Sequence, residues 1–124
     1  MRPLTEIFAR DSFQSQGLIC KRTKAGKNLF NIRQIIWLDK EVQMDWGVKS
    51  GLAGEHLALN ILDQLLPGEE YSLSVGCVSF ATLSLYEQFY AELISTMTNE
   101  GGIITNNTIN SWLKIHYQTD IYSI

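Results

Sequence analysis

Residues 46–68 read WGVKSGLAGEHLALNILDQLLPG and mark the point where a region of strands gives way to a region of helices. From Leu57 to Leu66, apolar side chains recur at intervals of three and four residues, which is the spacing of one buried helix face. Ser50 can cap this helix and Pro67-Gly68 can end it. We therefore expect a helix from about Gly51 to Leu66.

The segments before this helix have the composition of β-strands. Ile and aromatic residues are concentrated between Asn28 and Leu38, and apolar residues alternate from Glu41 to Trp46. A glycine-containing turn at residues 24–27 joins the first two segments. We expect a three-stranded antiparallel meander over residues 16–46, with strands at Gln16–Lys21, Asn28–Leu38 and Glu41–Trp46, preceded by a short helix or tail at residues 1–14.

Two further helices are predicted after Pro67. Ser79 can cap a helix that runs to about Thr98, where Gly101-Gly102 follows as a helix stop, and Thr105–His116 has the pattern of a shorter third helix. Residues 71–78 fit either an edge strand or an ordered loop. Strands followed by helices predict an α+β fold, in which the N-terminal sheet packs against two long helices and the shorter C-terminal helix. We expect a single domain, residues 1–124, with its helical part at 51–116.

The composition is that of an ordinary globular protein. The chain has 124 residues, of which 45% are hydrophobic and 19% charged, and this excludes the collagenous, disulfide-rich and disordered classes. No apolar run approaches the roughly 20 residues of a membrane span, and the first residues lack the apolar region of a secretory signal. We therefore expect a cytoplasmic protein in which Cys20 and Cys77 are buried thiols.

The formal net charge of -3 conceals a difference between the two halves of the chain. Nine basic and five acidic residues lie up to and including Lys49, whereas one basic and eight acidic residues follow it. The basic half can attract phosphate groups and the acidic half can attract a basic protein surface. A structural explanation stays open, because lysines on a sheet and glutamates on helices would attract each other across two layers.

The corner before the predicted helix is the candidate ligand-binding site. Its glycines, at positions 47, 51 and 54, let the backbone turn sharply and approach a ligand closely. The first amides of a helix are unpaired, so Gly47, Ser50 and Gly51 can donate to a phosphate or carboxylate. Lys49 adds a positive charge, and Trp46 can stack a base. The alternative is structural, since the same glycines would permit a tight turn and close helix packing.

Cations around the predicted hairpin can complete this site. We assign Arg22 and Arg33 to it, and Lys21, Lys24 and Lys27 lie close to Arg22 in the sequence. The alternative is that these cations only protect an edge strand from pairing with other chains. No predicted recognition helix is basic, which disfavours reading of DNA through the major groove.

The sequence contains no convincing catalytic or metal-binding pattern. Glu55-His56 pairs an acid with a base, but adjacent helical residues point about 100° apart and do not form a dyad. His56 and His116 are the only histidines, and no His, Cys or Asp spacing matches a metal site. We therefore expect a protein that is not an enzyme and has no catalytic residue, metal or cofactor.

A longer pattern resembles a known family. Trp46-Gly47, Ser50-Gly51 and the run LALNIL at 57–62 resemble the W-G-x-x-S-G…L-A-L-x-I-L signature of a small family of uncharacterised domains from bacteria, phages and plasmids. Tyr86-Glu87-Gln88-Phe89 and Trp112-Leu113 are similar to later features of that family, so the resemblance covers roughly residues 17–115. The chain departs from the family at Val48, where an aromatic residue is usual, and at Leu52-Ala53, where Gly-Pro is usual. The resemblance implies a shared fold but no established activity, cofactor or catalytic residue.

The association of that family with mobile elements implies a small, non-enzymatic protein that binds and blocks a host component. We expect it to antagonise a host defence by capturing a small anionic ligand, such as a signalling nucleotide, at the 46–54 corner. The alternative is a protein–protein inhibitor whose acidic helical half covers a basic surface of a host nuclease or effector. A nucleic-acid accessory factor that uses the basic half is less favoured. A small sheet with an apolar edge also favours a homodimer.

Overall fold

A computed structural model describes residues 12–66, 70–72 and 77–122, and it divides the chain into two compact units. Unit 1 comprises residues 1–32 and 100–124, and unit 2 comprises residues 33–99. Helices and strands are both present, which confirms the α+β class. The helices are α1 (Ser12–Gln16), α2 (Leu52–Leu65), α3 (Phe80–Phe89) and α4 (Asn106–Tyr122), with a π-helical turn at Tyr90–Ile94; the strands are β1 (Gly17–Arg22), β2 (Asn28–Phe30), β3 (Glu70–Ser72), β4 (Cys77–Ser79) and β5 (Gly101–Thr105).

Unit 1 contains a three-stranded antiparallel sheet with the strand order β2-β1-β5. Cys20 of β1 pairs with Phe30 of β2, and Leu18 of β1 pairs with Ile104 of β5. Helices α1 and α4 pack against β1. The predicted three-stranded antiparallel sheet is therefore confirmed, but the predicted meander is wrong, because the third strand comes from the C-terminal part of the chain and not from Glu41–Trp46.

Strand β2 is much shorter than predicted because the side chain of Asn31 makes hydrogen bonds to β1 that the backbone of a longer β2 would make. The Asn31 Oδ1 accepts a hydrogen bond of 2.8 Å from the Ile19 N–H, and its Nδ2 donates to the Gly17 carbonyl at 2.8 Å and to the Ser12 hydroxyl at 3.1 Å. The Asn31 N–H still donates to the Ile19 carbonyl at 3.3 Å, but the side-chain amide replaces the other backbone hydrogen bond of this next step of the β1–β2 ladder. The chain leaves the sheet at this point instead of continuing to Leu38.

Helix α2 forms the core of unit 2. Its residues from His56 to Leu62 are all buried, and Leu59 packs in a cluster with Ile36 and Val78. The predicted helix at Gly51–Leu66 is thus confirmed to within a residue at each end. Ser79 caps α3 as predicted, because its Oγ accepts a hydrogen bond of 3.1 Å from the Thr82 N–H.

The segment 33–46 is not a strand, since side chains satisfy its backbone groups. Asn60 Oδ1 accepts hydrogen bonds from the N–H groups of Ile35 at 2.9 Å and Ile36 at 3.0 Å. Gln34 Oε1 accepts from the Met44 N–H at 2.8 Å. A strand needs these donors for a neighbouring strand, and here they are already used. The predicted strand at Glu41–Trp46 is therefore wrong.

Smaller predictions also need correction. Ser50 does not cap α2, because the N-cap residue is Gly51. The α-helix α3 ends at Phe89 and continues as the π-helical turn instead of running to Thr98, while Gly101 opens β5. Cys20 is buried as predicted, but Cys77 is exposed.

Several predicted features fall wholly or partly on undescribed residues. Strands β3 and β4 form an antiparallel hairpin where an edge strand or a loop was expected, although residues 73–76 lie outside the described ranges. The predictions for residues 1–11 and for the helix stop at Pro67-Gly68 also lie outside the described residues. Helix α4 continues to Tyr122, beyond the predicted end at His116.

Candidate functional site

Residues 46–54 form a tight corner that leads into α2. Gly47 has a φ of 100°, in a region that side-chain-bearing residues rarely adopt. The Gly47 carbonyl accepts hydrogen bonds from the Ser50 hydroxyl at 2.7 Å and from the Ser50 N–H at 3.2 Å. The Gly47 N–H donates to the carbonyl of Ile94 at 3.1 Å, so the π-helical turn holds the corner from its other side.

The side chain of Tyr90 closes this corner. Its hydroxyl donates to the Gly47 carbonyl at 3.2 Å and accepts from the Gly51 N–H at 3.2 Å. The ring lies so close to Gly54 that a Cβ there would overlap it, and the same Cβ would overlap the Ser50 hydroxyl. Donors and space that a ligand would need are thus taken up by the protein itself.

The other predicted site residues have different environments. Trp46 is only 3% exposed and its Nε1 donates to the Thr98 carbonyl at 2.8 Å, so its ring does not offer a face to a ligand. Lys49 and Arg33 are exposed in unit 2. Arg22 belongs to unit 1, where its Nε donates to Asn28 Oδ1 at 3.1 Å. The structure therefore brings Trp46, Gly47, Ser50 and Gly51 together at the corner, whereas Arg22 lies in a different unit.

The corner exposes the aliphatic side chains of Val48 and Leu52 and, between them in the sequence, the cation of Lys49. Val48 is 78% exposed and Leu52 is 36% exposed, at the tip and at the start of α2. Glu55 follows one turn after Leu52, and its pKa is raised by burial and by the nearby carboxylate of Glu87 on α3. The carboxylate of Glu87 is thus near Glu55, which lies one turn from the exposed Leu52. We refer to Val48, Leu52, Glu55 and Glu87 as the corner surface.

Within the pair Glu55-His56, the histidine has a structural role. His56 is fully buried, and its Nε2 accepts hydrogen bonds from the N–H groups of Leu38 at 3.0 Å and Asp39 at 3.4 Å. An Nε2 that accepts carries no proton, so the Nδ1–H donates to the Val42 carbonyl at 3.0 Å. His56 and Asn60 of α2 therefore hold the segment 33–46 on this helix by hydrogen bonds to its backbone, and Gln34 bonds within the segment.

The buried imidazole predicts a pH dependence of stability. Burial lowers the pKa of His56 from 6.5, outweighing the hydrogen bond to Val42 and the charge of Asp39. Below pH 6.5 the unfolded chain binds a proton at His56 more readily than the folded chain does. The contribution of the neutral imidazole to the free energy of unfolding is therefore fully present above this pH and is lost as the pH falls. We expect the free energy of unfolding to decrease by up to about 1.4 kcal/mol per pH unit there.

Urea unfolding between pH 8 and pH 5 measures this effect, with His56→Gln as the control. Glu55 acts in the opposite direction at lower pH, because its raised pKa makes the folded protein take up a proton first. The wild-type profile minus the His56→Gln profile isolates the imidazole. Parallel profiles for the two proteins would show that His56 does not titrate differently on folding.

A separate concave surface lies on α4 in unit 1. Its volume is about 400 Å³, and the residues that line it are Asn107, Asn110, Ser111, Leu113, Lys114 and Tyr117. No motif in the sequence pointed to it.

The described residues contain no group of three or more His, Cys, Asp or Glu side chains that could hold a metal ion. No helix within the described ranges is long and apolar enough to cross a membrane.

Sequence reasoning missed the residues that organise unit 2. Tyr90 lies far from the corner in the sequence, and no pattern in the sequence links the two. Asn60 stood between apolar residues on a buried helix face, and that position is the signal that could have identified it as a structural amide.

Compared with models of protein families, with curated proteins and with solved structures, the chain matches none of them.

Proposed function

We propose that this chain is a non-enzymatic binding protein that covers a basic surface of another protein with its corner surface. The observation that carries the proposal is the closure of the corner by Tyr90, which uses the corner's donors internally and leaves Val48 and Leu52 exposed. A loop that is already held in one conformation loses little entropy on binding. An exposed aliphatic anchor on such a loop is suited to a recess in a partner protein.

Charge supports a basic partner. Unit 2 contains nine acidic and three basic side chains, whereas unit 1 contains seven basic and four acidic ones. Within unit 2, the pKa of Glu55 is raised first by burial and then by repulsion from the carboxylate of Glu87. A lysine or arginine of a partner would relieve that repulsion and would be attracted over a distance by the whole unit.

Capture of a small anionic ligand at the corner has less support from the geometry. Such a ligand would need the ring of Trp46, which is buried, and the N–H of Gly51, which donates to Tyr90. In the setting suggested by the resemblance to phage and plasmid domains, the protein would antagonise a host defence, and the basic partner would be a host nuclease or effector. We include in this proposal that the protein forms a homodimer, is located in the cytoplasm and is related to that family.

The experiment is affinity capture from host lysate at low ionic strength, with the full chain as bait and quantitative mass spectrometry as readout. We expect one protein with a basic surface to be retained stoichiometrically and released by salt. Val48→Asp should weaken its retention by about tenfold or more, because a central anchor is replaced by a charge. Ile35→Asp is the matched control, since Ile35 is also an aliphatic residue of unit 2 and is 57% exposed.

Two outcomes would contradict the proposal. One is equal retention of the partner by wild type and Val48→Asp while both remain folded by circular dichroism. The other is a nucleotide released on denaturation of purified wild-type protein but absent from a Lys49→Ala variant, which would favour an anion site at the corner.

Charge reversal by the double variant Glu55→Lys with Glu87→Lys should abolish retention of a basic partner.

A further inference from the structure

Strand β5 lies at an edge of the sheet in unit 1. The strand order is β2-β1-β5, so β5 has β1 on one side and no strand of the described residues on the other. On β1, the backbone groups of Ile19 point toward β2, because its N–H donates to Asn31 Oδ1 at 2.8 Å and its carbonyl accepts from the Asn31 N–H at 3.3 Å. The residue opposite Ile19 on β5 is Ile103. In an antiparallel ladder, the backbone groups of Ile103 therefore point away from β1, toward the open edge.

Both the backbone and the side chain of Ile103 are open at this edge. In the described part of the chain, no residue forms a hydrogen bond with its N–H or its carbonyl. Its side chain is 60% exposed, whereas that of Ile19, beside it on the same face of the sheet, is 6% exposed. An edge strand with open backbone groups and an exposed apolar side chain is a template for a further strand.

Strand β5 lacks the features that ordinarily prevent an edge from pairing. Natural edge strands are protected by charged side chains, by proline or by a short length. The five residues Gly101–Thr105 include no charged residue and no proline. The opposite edge is protected, because β2 has three residues and directly follows Lys27. This contrast between the two edges points to β5 as the one that receives a partner strand.

The two ends of β5 differ in charge, which favours a second copy of this chain as the partner. Glu100 directly precedes the strand and is exposed. Helix α4 begins directly after the strand, at Asn106, and a helix N-terminus carries a partial positive charge. When two copies of β5 pair antiparallel about Ile103, Glu100 of each copy lies opposite Asn106 of the other. Each carboxylate then meets a helix N-terminus, whereas a parallel pair would place like charges together.

We propose that two copies of this chain associate through β5, in an antiparallel pair centred on Ile103. The Ile103 N–H of each copy donates to the Ile103 carbonyl of the other, and the two exposed side chains lie next to each other on one face. This two-fold pairing joins the two three-stranded sheets into one continuous sheet. The inference rests on the homodimer of the proposed function, to which it gives an interface, and it does not use the corner surface.

Sedimentation equilibrium of the full chain measures the dimer and its dissociation constant. We expect the wild type to be dimeric at micromolar concentration. Ile103→Lys should raise the dissociation constant about tenfold or more, because it places two like charges opposite each other at the centre of the pair. Ile103→Pro should also raise it, since proline removes an N–H that the pairing with β1 does not use and is tolerated at such an edge position. Circular dichroism should show that both variants are folded.

Ile115→Lys is the matched control, because Ile115 is also an isoleucine of unit 1, is 63% exposed and lies on α4. This variant should stay dimeric, and so should Val48→Asp, which alters the corner surface. A mixture of isotope-labelled and unlabelled wild type reports the register by NMR. We expect a nuclear Overhauser effect between the Hα of Gly102 in one copy and the Hα of Ile104 in the other.

The outcomes separate this inference from the homodimer itself. A monomer at millimolar concentration would overturn both. A dimer that Ile103→Lys and Ile103→Pro leave intact, or one without the expected Overhauser effect, would overturn the interface alone. An equal rise of the dissociation constant in Ile103→Lys and Ile115→Lys would also overturn it, because added charge rather than the position at the edge would then be the cause.

Discussion

Replacing Asn60 with leucine should lower the free energy of unfolding by about 3–5 kcal/mol, estimated from about 1–3 kcal/mol for each buried polar group left without a partner. The Asn60 side chain accepts from the N–H groups of Ile35 and Ile36 and donates to the Ile36 carbonyl at 3.0 Å. Leucine has a similar size but none of these hydrogen bonds. Urea unfolding with linear extrapolation measures the change.

Asn110→Leu provides the control for the chemical change itself. Asn110 is exposed on α4, so the same substitution there should change the free energy of unfolding by no more than about 0.5 kcal/mol. A cost below about 1 kcal/mol for Asn60→Leu would mean that Asn60 does not hold the segment 33–46 on α2. Asn60→Asp should fall between wild type and leucine, because it keeps the acceptors for Ile35 and Ile36.

Gly54→Ala should destabilise the protein by about 2–3 kcal/mol, although the same change in an exposed helix stabilises by up to about 1 kcal/mol. The reversal of sign follows from the overlap of a new Cβ with the Tyr90 ring and the Ser50 hydroxyl. Thermal or urea unfolding of the single variant shows the sign directly.

A double-mutant cycle with Tyr90→Ala identifies the cause. When the ring is absent, the Ser50 hydroxyl is the one that remains of the three nearest atoms, and it can turn away from the new Cβ by giving up its hydrogen bond to the Gly47 carbonyl. Gly54→Ala should then be neutral or stabilising, and the coupling free energy between the two positions should exceed about 2 kcal/mol. An equal cost of Gly54→Ala with and without the ring would show that Tyr90 does not pack against Gly54.

Local patterns in the sequence predicted where the two helices of unit 2 begin. The spacing of Leu57, Ile61 and Leu62 gave the position of α2, and Ser79 gave the start of α3. These features depend on neighbouring residues, which a sequence pattern records directly. The α+β class was predicted from strand-like segments that are followed by helical segments along the chain.

Pairing between distant segments could not be predicted in the same way. Strand β5 begins at Gly101-Gly102, a pair that also resembles a helix stop, and nothing near it indicates that it pairs with β1. The segment 28–46 has the composition of strands, but Asn60 and His56 take backbone hydrogen bonds of this segment, and the side chain of Asn31 takes backbone hydrogen bonds of β1. A polar side chain that replaces a strand partner leaves no periodic pattern.

The glycine-containing corner was predicted from the sequence, and its role as a binding site stays a prediction. The corner at residues 46–54 exists, and its glycines serve the tight turn and the close helix packing that were weighed as the structural alternative. Whether the amides of the corner are open to a ligand depends on Tyr90. This residue lies far along the chain, and its hydroxyl accepts a hydrogen bond from the Gly51 N–H. The binding roles assigned to Lys49, Arg22 and Arg33 stay predictions.

Hydrogen exchange at the Gly51 amide, followed by NMR, is the most direct test of whether Tyr90 closes the corner. The Gly51 N–H donates to the Tyr90 hydroxyl at 3.2 Å, so it should exchange about tenfold or more slowly than an open amide, and Tyr90→Phe should remove that protection. Adding inorganic phosphate to the wild type should leave its exchange and chemical shift unchanged. Rapid exchange in the wild type, together with a saturable shift on adding phosphate, would mean that the corner is open and receives anions.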